Sequence, residues 1–287
     1  MRIPMSGGKE SERLAKNITV RQALARSGLI PLEARVLLAH VLTKDRAWLA
    51  AHTEAALNVD DARSFEALAR RRRDGVPIAY LTGRREFYGL DLEITPEVLI
   101  PRPESEILVD FALARVSEEQ AARLLDLGSV SGAVALAIAH LRPSARVIGV
   151  DVSLSAVALA RRNAARLGIA NIEFIESNWF DRVPPIAFEL IAANPPYVAD
   201  SDPHLAQGDL RFEPALALKG GLDGLDSIRR IVADANGHLK SGGWLAIEHG
   251  HDQAGIVQDL LRRVGFGEIE TRRDLAGILR TTWGELP

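Results

Sequence analysis

Asn194-Pro195-Pro196-Tyr197 follows the apolar run Phe188-Glu189-Leu190-Ile191-Ala192-Ala193, so it stands where a buried strand should end. The tetrapeptide suits methylation of a planar nitrogen. The lone pair of an amide or exocyclic amine is delocalised, so an enzyme must accept both N–H bonds from the correct directions. The Asn194 side-chain carbonyl and the Pro195 backbone carbonyl supply two acceptors and leave the lone pair facing an incoming methyl group. Pro195 and Pro196 fix φ at about −65° and hold Asn194 extended, which pre-positions the acceptors. Tyr197 offers a ring face to the planar group. The plain structural alternative is a Pro-Pro turn after a strand.

A second constellation suits a nucleotide-like cofactor. Asp126-Leu127-Gly128-Ser129-Val130-Ser131-Gly132 follows an apolar run and opens a helical segment, so its N–H groups lie at the positive end of a helix dipole. About twenty residues on, Asp151 ends the next apolar run, where a carboxylate can accept both hydroxyls of a ribose. Spacing alone fits a nicotinamide or an S-adenosylmethionine site. Asn-Pro-Pro-Tyr favours the methyl donor, because hydride transfer has no use for it.

The elements that position these residues follow from periodicity. From Val20 to about Gly75 apolar residues recur at helical spacing, with breaks at Gly28/Pro31 and at Asn58-Val59-Asp60-Asp61. Residues 13–76 therefore predict a helical bundle behind a flexible tail over 1–12. Residues 77–105 predict a hairpin and linker, with Glu86–Ile94 alternating as a hairpin strand and Ile100-Pro101-Arg102-Pro103-Glu104 as a rigid connector. In 106–287 the apolar runs Leu124–Leu127, Val147–Val150, Ile172–Ile175, Leu190–Ala193 and Trp244–Ile247 alternate with helix-length segments. That predicts an α/β Rossmann-like parallel sheet covered on both faces, with Gly128 and Asn194 side by side at its switch point. Glu268–Arg272 and Ala276–Thr282 predict an antiparallel pair at its edge.

Composition narrows the classes. The 287 residues are 47% hydrophobic and 25% charged, with no cysteine, which excludes disulfides, thiolate catalysis and cysteine zinc sites. No apolar stretch reaches membrane-spanning length, and a soluble cytoplasmic protein is the expectation. Residues 1–80 carry 14 Lys+Arg against 9 Asp+Glu, whereas the remainder carries 21 against 29. The acidic remainder is ill suited to nucleic-acid backbone. The basic run Arg70-Arg71-Arg72-Arg73 reads as a solvated helix end or a docking patch.

The chain resembles the release-factor glutamine N5-methyltransferases, which modify the Gln of the Gly-Gly-Gln loop of bacterial peptide chain release factors. The resemblance is carried by Pro77–Gly83, Phe87-Tyr88-Gly89, Leu99–Glu106, Asn194–Tyr197, Phe212–Leu218, Gly224-Leu225-Asp226, Glu248 with Gln253, and Asp274–Gly277. It implies a class I methyltransferase domain of seven strands. It also implies an adenosylmethionine pocket at Gly128, Ser129, Val130, Ser131, Gly132, Asp151, Trp179 and Asn194, and a glutamine-binding loop at Asn194, Pro195, Pro196 and Tyr197. The helical domain would dock the release factor, and Trp179 would stack on adenine. Arg102 and Glu104 are possible support, or simply pair with each other.

Two residues depart from the family pattern. Val130 stands where glycine is usual, and a β-branched residue disfavours positive φ. Asn178 stands where an acidic residue is common. Both motivate one alternative, a release-factor binder with impaired cofactor binding; an adenine-N6 methyltransferase acting on nucleic acid is another, since it shares Asn-Pro-Pro-Tyr. His249 and His251 lie two apart, but with no third ligand evident they read as a hydrated loop rather than a metal site.

Overall fold

The computed structural model describes residues 18–287, in two compact units that divide between Gly83 and Arg84. The tail expected over 1–12 and the first residues of the expected bundle, 13–17, lie outside the described residues.

The first unit comprises α1 (Val20–Arg26), α2 (Pro31–Leu42), α3 (Arg46–Ala51), α4 (Val59–Arg73) and α5 (Ile78–Thr82). Four of them carry a start signal. Thr19 and Gln22 form a capping box at α1, and Pro31 opens α2. Asp45 accepts the Trp48 N–H at 2.6 Å ahead of α3, a helix that periodicity did not separate, and Asn58 accepts the Asp61 N–H at 2.7 Å ahead of α4. Val20, Leu37, Leu38, Leu49 and Phe65 fill the core of this unit. The four-arginine run ends α4, but two of its members are not solvated ends. Arg72 donates to Glu33 at 2.6 Å and to the Val76 carbonyl at 3.2 Å, and Arg73 reaches the Ser27 carbonyl and Glu66. These bonds staple the helix end to its own bundle.

The second unit opens with an antiparallel hairpin of β1 (Arg84–Phe87) and β2 (Leu90–Glu93). The hairpin expected within 77–105 is present, but the run Glu86–Ile94 is not one alternating strand. The chain reverses at Tyr88 and Gly89, whose φ values of 50° and 80° are those of a two-residue hairpin turn.

A seven-stranded sheet follows: β3 (Arg123–Leu127), β4 (Arg146–Asp151), β5 (Ile172–Glu176), β6 (Phe188–Ala193), β7 (Leu239–Glu248), β8 (Gly267–Arg273) and β9 (Leu279–Leu286). Their spatial order is β5-β4-β3-β6-β7-β9-β8. The first five in that row are parallel, and β9 runs antiparallel between β7 and β8. Each of the five apolar runs lies within one of β3 to β7. The C-terminal antiparallel pair is present, but its second strand starts at Leu279 because Asp274 organises the turn, accepting from the Ala276 and Ile278 N–H groups at 2.9 Å each. In β6 every residue but Glu189 is fully buried, as expected of a central parallel strand covered on both faces.

Strand order reverses between β3 and β6, which opens a crevice at their carboxyl ends. Leu127 pairs with Ala193, so Gly128 and Asn194 leave the sheet side by side. No helix among the described residues is long and apolar enough to cross a membrane.

Candidate active site

The loop after β3 is held by main chain. The Gly128 and Ser129 N–H groups both donate to the Val150 carbonyl at 2.9 Å, and Gly132 N–H closes back on the Ser129 carbonyl at 2.7 Å. Val130 sits at φ 54°, so the turn does require the left-handed region that a β-branched residue disfavours. Its N–H donates to Asp151 Oδ2 at 2.9 Å, and Ser153 N–H donates to Oδ1 at 2.9 Å. Asp151 is thus a strut joining the tips of β3 and β4. Burial raises its pKa against these two stabilising bonds. Gly132 has a packing role: a Cβ there would lie 2.8 Å from Phe174 and 2.9 Å from Leu136, so glycine lets the helix α7 (Ala133–Leu141) start hard against the sheet.

A cavity of about 450 Å³ opens over this loop, and Gly128, Val130, Asp151, Asn178, Trp179, Asn194 and Pro196 all line it. Trp179 packs its six-membered ring 3.5 Å from where a Cβ on Gly128 would stand. Beneath lies a recess of about 30 Å³ lined by Ser129, Ser131 and Asp126. Asp126 is 3% exposed, and its Oδ2 has no hydrogen-bond partner; Ser131 Oγ has none either. Burial pushes the Asp126 carboxyl up to about 7. Buried oxygens without partners are costly, so a cationic or N–H-bearing group belongs there. A glycine turn, a ribose-distance carboxylate, an indole face and a recess with an unpartnered carboxylate oxygen fit S-adenosylmethionine.

The loop after β6 is held by side chains from distant elements. A turn at Pro103–Ser105 leads into α6 (Glu106–Arg115), and Ser105 occupies the cap position of that helix without capping it. Its hydroxyl donates instead to Glu248 Oε2 at 2.6 Å and accepts from Asn194 Nδ2 at 3.0 Å. Tyr197 OH donates to Glu248 Oε1 at 3.1 Å. Gln253 Nε2 reaches the Tyr197 carbonyl at 3.0 Å, and Gly224 backs onto the same carbonyl, where a Cβ would intrude to 2.3 Å. Asn194, Pro195 and Tyr197 line a second cavity of about 160 Å³ with Arg102 and Glu248. Glu248 is fully buried, and burial pushes its pKa up to about 7 against the Ser105 and Tyr197 bonds.

Two expectations are corrected. Arg102 and Glu104 do not pair; Arg102 binds the buried Glu213, which also accepts the Ile100 N–H at 3.2 Å. This ties the Pro-rich connector to the Phe212–Leu218 segment, and Glu104 lines neither the 450 Å³ nor the 160 Å³ cavity. His249 is not in a hydrated loop. It is fully buried, with Nε2 at 2.8 Å from Thr282 Oγ1 and Nδ1 at 2.9 Å from the Gly250 carbonyl, while His251 is exposed. Among the described residues no three His, Asp or Glu side chains group as metal ligands. Sequence reading assigned no role to Ser105, Asp126 and Glu248. Asp126 had a local signal, a carboxylate among the leucines of β3; Ser105 and Glu248 lay in segments that carry the family resemblance, but nothing in the sequence joined them.

Sheet order, glycine turn, post-β4 carboxylate and Asn-Pro-Pro-Tyr together define a class I methyltransferase fold. Residues 19–83 match the family model described as PrmC N-terminal domain, and residues 105–215 the one described as Methyltransferase small domain. A release factor glutamine methyltransferase of Burkholderia pseudomallei is 47% identical over 94% of this chain and 96% of its own. One of Xylella fastidiosa is 46% identical over 89% of this chain and 93% of its own. The fold also resembles a T. thermophilus 16S rRNA methyltransferase in complex with AdoMet and guanosine, at TM-score 0.53 and 20% identity, over 71% of this chain and 50% of that one. The chain belongs to the family of release factor glutamine methyltransferases.

Proposed function

We propose that the protein transfers a methyl group from S-adenosylmethionine to the side-chain amide nitrogen of the glutamine in the Gly-Gly-Gln loop of peptide chain release factors. The observation that carries this reading is the Asn194 amide. Its nitrogen is engaged by Ser105, so its carbonyl oxygen is left as an acceptor on a residue that lines both the 450 Å³ and the 160 Å³ cavities. Asn194 and Pro195 each accept one N–H of the glutamine amide, and the lone pair turns toward the larger cavity. Bound there, the cofactor supplies an electrophilic methyl on a positive sulfur. Gly128 to Gly132 would receive it against main chain, Asp151 would take the ribose hydroxyls, Trp179 would cover the adenine, Asn178 would reach its edge, and Asp126 would take the ammonium end. As the N–C bond forms and the S–C bond breaks, the amide nitrogen becomes acidic and gives its proton to solvent. Rate then derives from alignment rather than from a strong base. The helical unit, residues 19–83, is the docking element for the release factor in this reading.

A release-factor binder without cofactor binding is the second reading, motivated by Val130 at positive φ. Transfer of labelled methyl from S-adenosylmethionine to a purified release factor, beside a factor whose Gly-Gly-Gln glutamine is alanine, tests both. Transfer that vanishes with the altered factor supports the first. Binding of the factor with no transfer to either supports the second.

A further inference from the structure

Resting on the glutamine reading above, we propose that Glu248, acting through Ser105, dictates which way the Asn194 amide faces and so makes the site select an N–H-bearing side chain over an oxygen-bearing one. Hydrogen-bond inventory carries it. Ser105 owns one hydroxyl proton, and an ionised Glu248, whose Oε2 lies 2.6 Å away, can only accept, so that proton goes to Glu248. Toward Asn194 the Ser105 oxygen then offers only lone pairs. Asn194 must therefore present its NH₂, which it does at 3.0 Å, and its carbonyl oxygen is forced to the opposite side. Tyr197 gives its own proton to Glu248 Oε1, so one carboxylate collects donors from both ends of the Asn194–Tyr197 loop.

A second observation separates this arrangement from ordinary structural bonding. Ser105 ends the Pro103–Ser105 turn and enters α6 already helical, at φ −69° and ψ −12°, so its hydroxyl makes no cap bond and serves Glu248 and Asn194 instead. Both Ser105 and Glu248 are buried, at 4% and 0% exposure, so no bulk water substitutes for either partner.

Neutralising Glu248 lifts the constraint. A protonated carboxyl, or an amide, can donate to Ser105, whose proton then turns toward Asn194. The Asn194 amide flips, and its NH₂ meets the NH₂ of the incoming glutamine. The flipped amide suits a glutamate side chain instead, which offers oxygen at that place. The groups that face Glu248 are Ser105 and Glu104 from the Pro103–Ser105 turn, Tyr197 from the loop after β6, Arg280 from β9, and Arg102 across the smaller cavity. Arg280 favours the ionised form and Glu104 opposes it, while burial outweighs both and leaves the carboxyl titrating at about 7. Glu248 and Ser105 are positioning residues in this scheme, and the acceptor remains Asn194.

The test uses the full chain, saturating S-adenosylmethionine, a purified release factor, and the same factor with its Gly-Gly-Gln glutamine changed to glutamate as competitor. The unsubstituted chain is expected to show kcat rising as pH increases through about 7. Glu248→Gln should lower kcat roughly 10- to 100-fold, remove that acid limb, and narrow the preference for the glutamine over the glutamate factor at least 10-fold, with affinity for S-adenosylmethionine unchanged. Ser105→Ala, which keeps the carboxylate but cuts the link, should narrow the preference equally. A merely structural role would lower activity without moving the preference. The inference is overturned if transfer by the unsubstituted chain is intact but both variants keep its preference and its acid limb. No transfer by the unsubstituted chain overturns the glutamine reading and this inference with it.

Discussion

Gly128 and Asn194 lie side by side at the tips of β3 and β6, yet the loops they begin are held by different means. The cofactor-side loop is closed mainly by main-chain bonds to Val150 and Ser129, with two side-chain struts, Asp151 on the Val130 N–H and Asn163 Nδ2 on the Ser131 carbonyl at 3.1 Å. The acceptor-side loop is held by Ser105, Glu248 and Gln253, drawn from three separate elements. A main-chain cradle tolerates many side chains, because its shape is written in φ and ψ. A side-chain truss fixes one polar group with one orientation, and each member is individually necessary. The cofactor is the same for every substrate and needs only shape and charge, whereas the acceptor must be read atom by atom.

The sharpest break in this contrast is Asn194→Ala. It removes the only side-chain acceptor assigned to the glutamine amide, so turnover at saturating substrates should fall roughly 10²- to 10³-fold, the scale of losing one preorganised polar contact at a reacting centre. Because Asn194 is only half-buried, the thermal midpoint should move by no more than a few degrees. Wild-type-like turnover would remove Asn194 from the chemistry.

Asp126→Asn probes the cofactor side and should act on binding rather than turnover. Loss of a charge-assisted bond predicts affinity for S-adenosylmethionine weaker by roughly 10- to 100-fold. The sign of the pH effect follows from burial, which raises the Asp126 pKa to about 7 in the free protein. An ammonium group favours the ionised carboxylate, so binding below that pH releases a proton, and affinity falls as pH drops beneath 7. Titration calorimetry in two buffers of different ionisation enthalpy should detect the proton in the parent chain and none in the variant. Equal proton release in both would place the ammonium elsewhere. In the free protein the same raised pKa makes folding stability fall as pH rises toward 7, the reverse of an ordinary surface carboxylate.

The same contrast explains what the sequence made legible. The five parallel strands, Gly128, Asp151 and Asn194 are local signals: apolar runs, each followed by the residue that must stand at its end. The truss is not local. Ser105 and Asn194 are 89 positions apart, and Ser105 and Glu248 143, so neither periodicity nor spacing could join them. Arg102 was misassigned for that reason, since its near neighbour Glu104 was visible in sequence and its partner Glu213, 111 positions away, was not. The β1–β2 hairpin was expected but its turn was not placed, because Tyr88 takes a left-handed conformation that composition does not announce. Val130 is the intermediate case. Its chemistry was readable as a penalty conditional on positive φ, and only the fold supplies the angle.

Val130→Gly is therefore the mildest and most discriminating change. A left-handed conformation costs a β-branched residue about 1–2 kcal/mol, while glycine adds about 0.5–1 kcal/mol of unfolded-chain entropy relative to alanine. The difference predicts stabilisation of about 0–1.5 kcal/mol, a rise of roughly 0–6 °C in thermal midpoint, with the main-chain bond to Asp151 kept. Val130→Ala should show less of the same gain, because it removes the branching but not the Cβ. If the Val130 side chain takes no part in holding the cradle, affinity for S-adenosylmethionine should stay equal or tighten in both variants. A loss of more than about 1 kcal/mol on changing Val130 to glycine would show that the valine side chain is itself part of the cradle, and the two loops would then differ in degree rather than in kind.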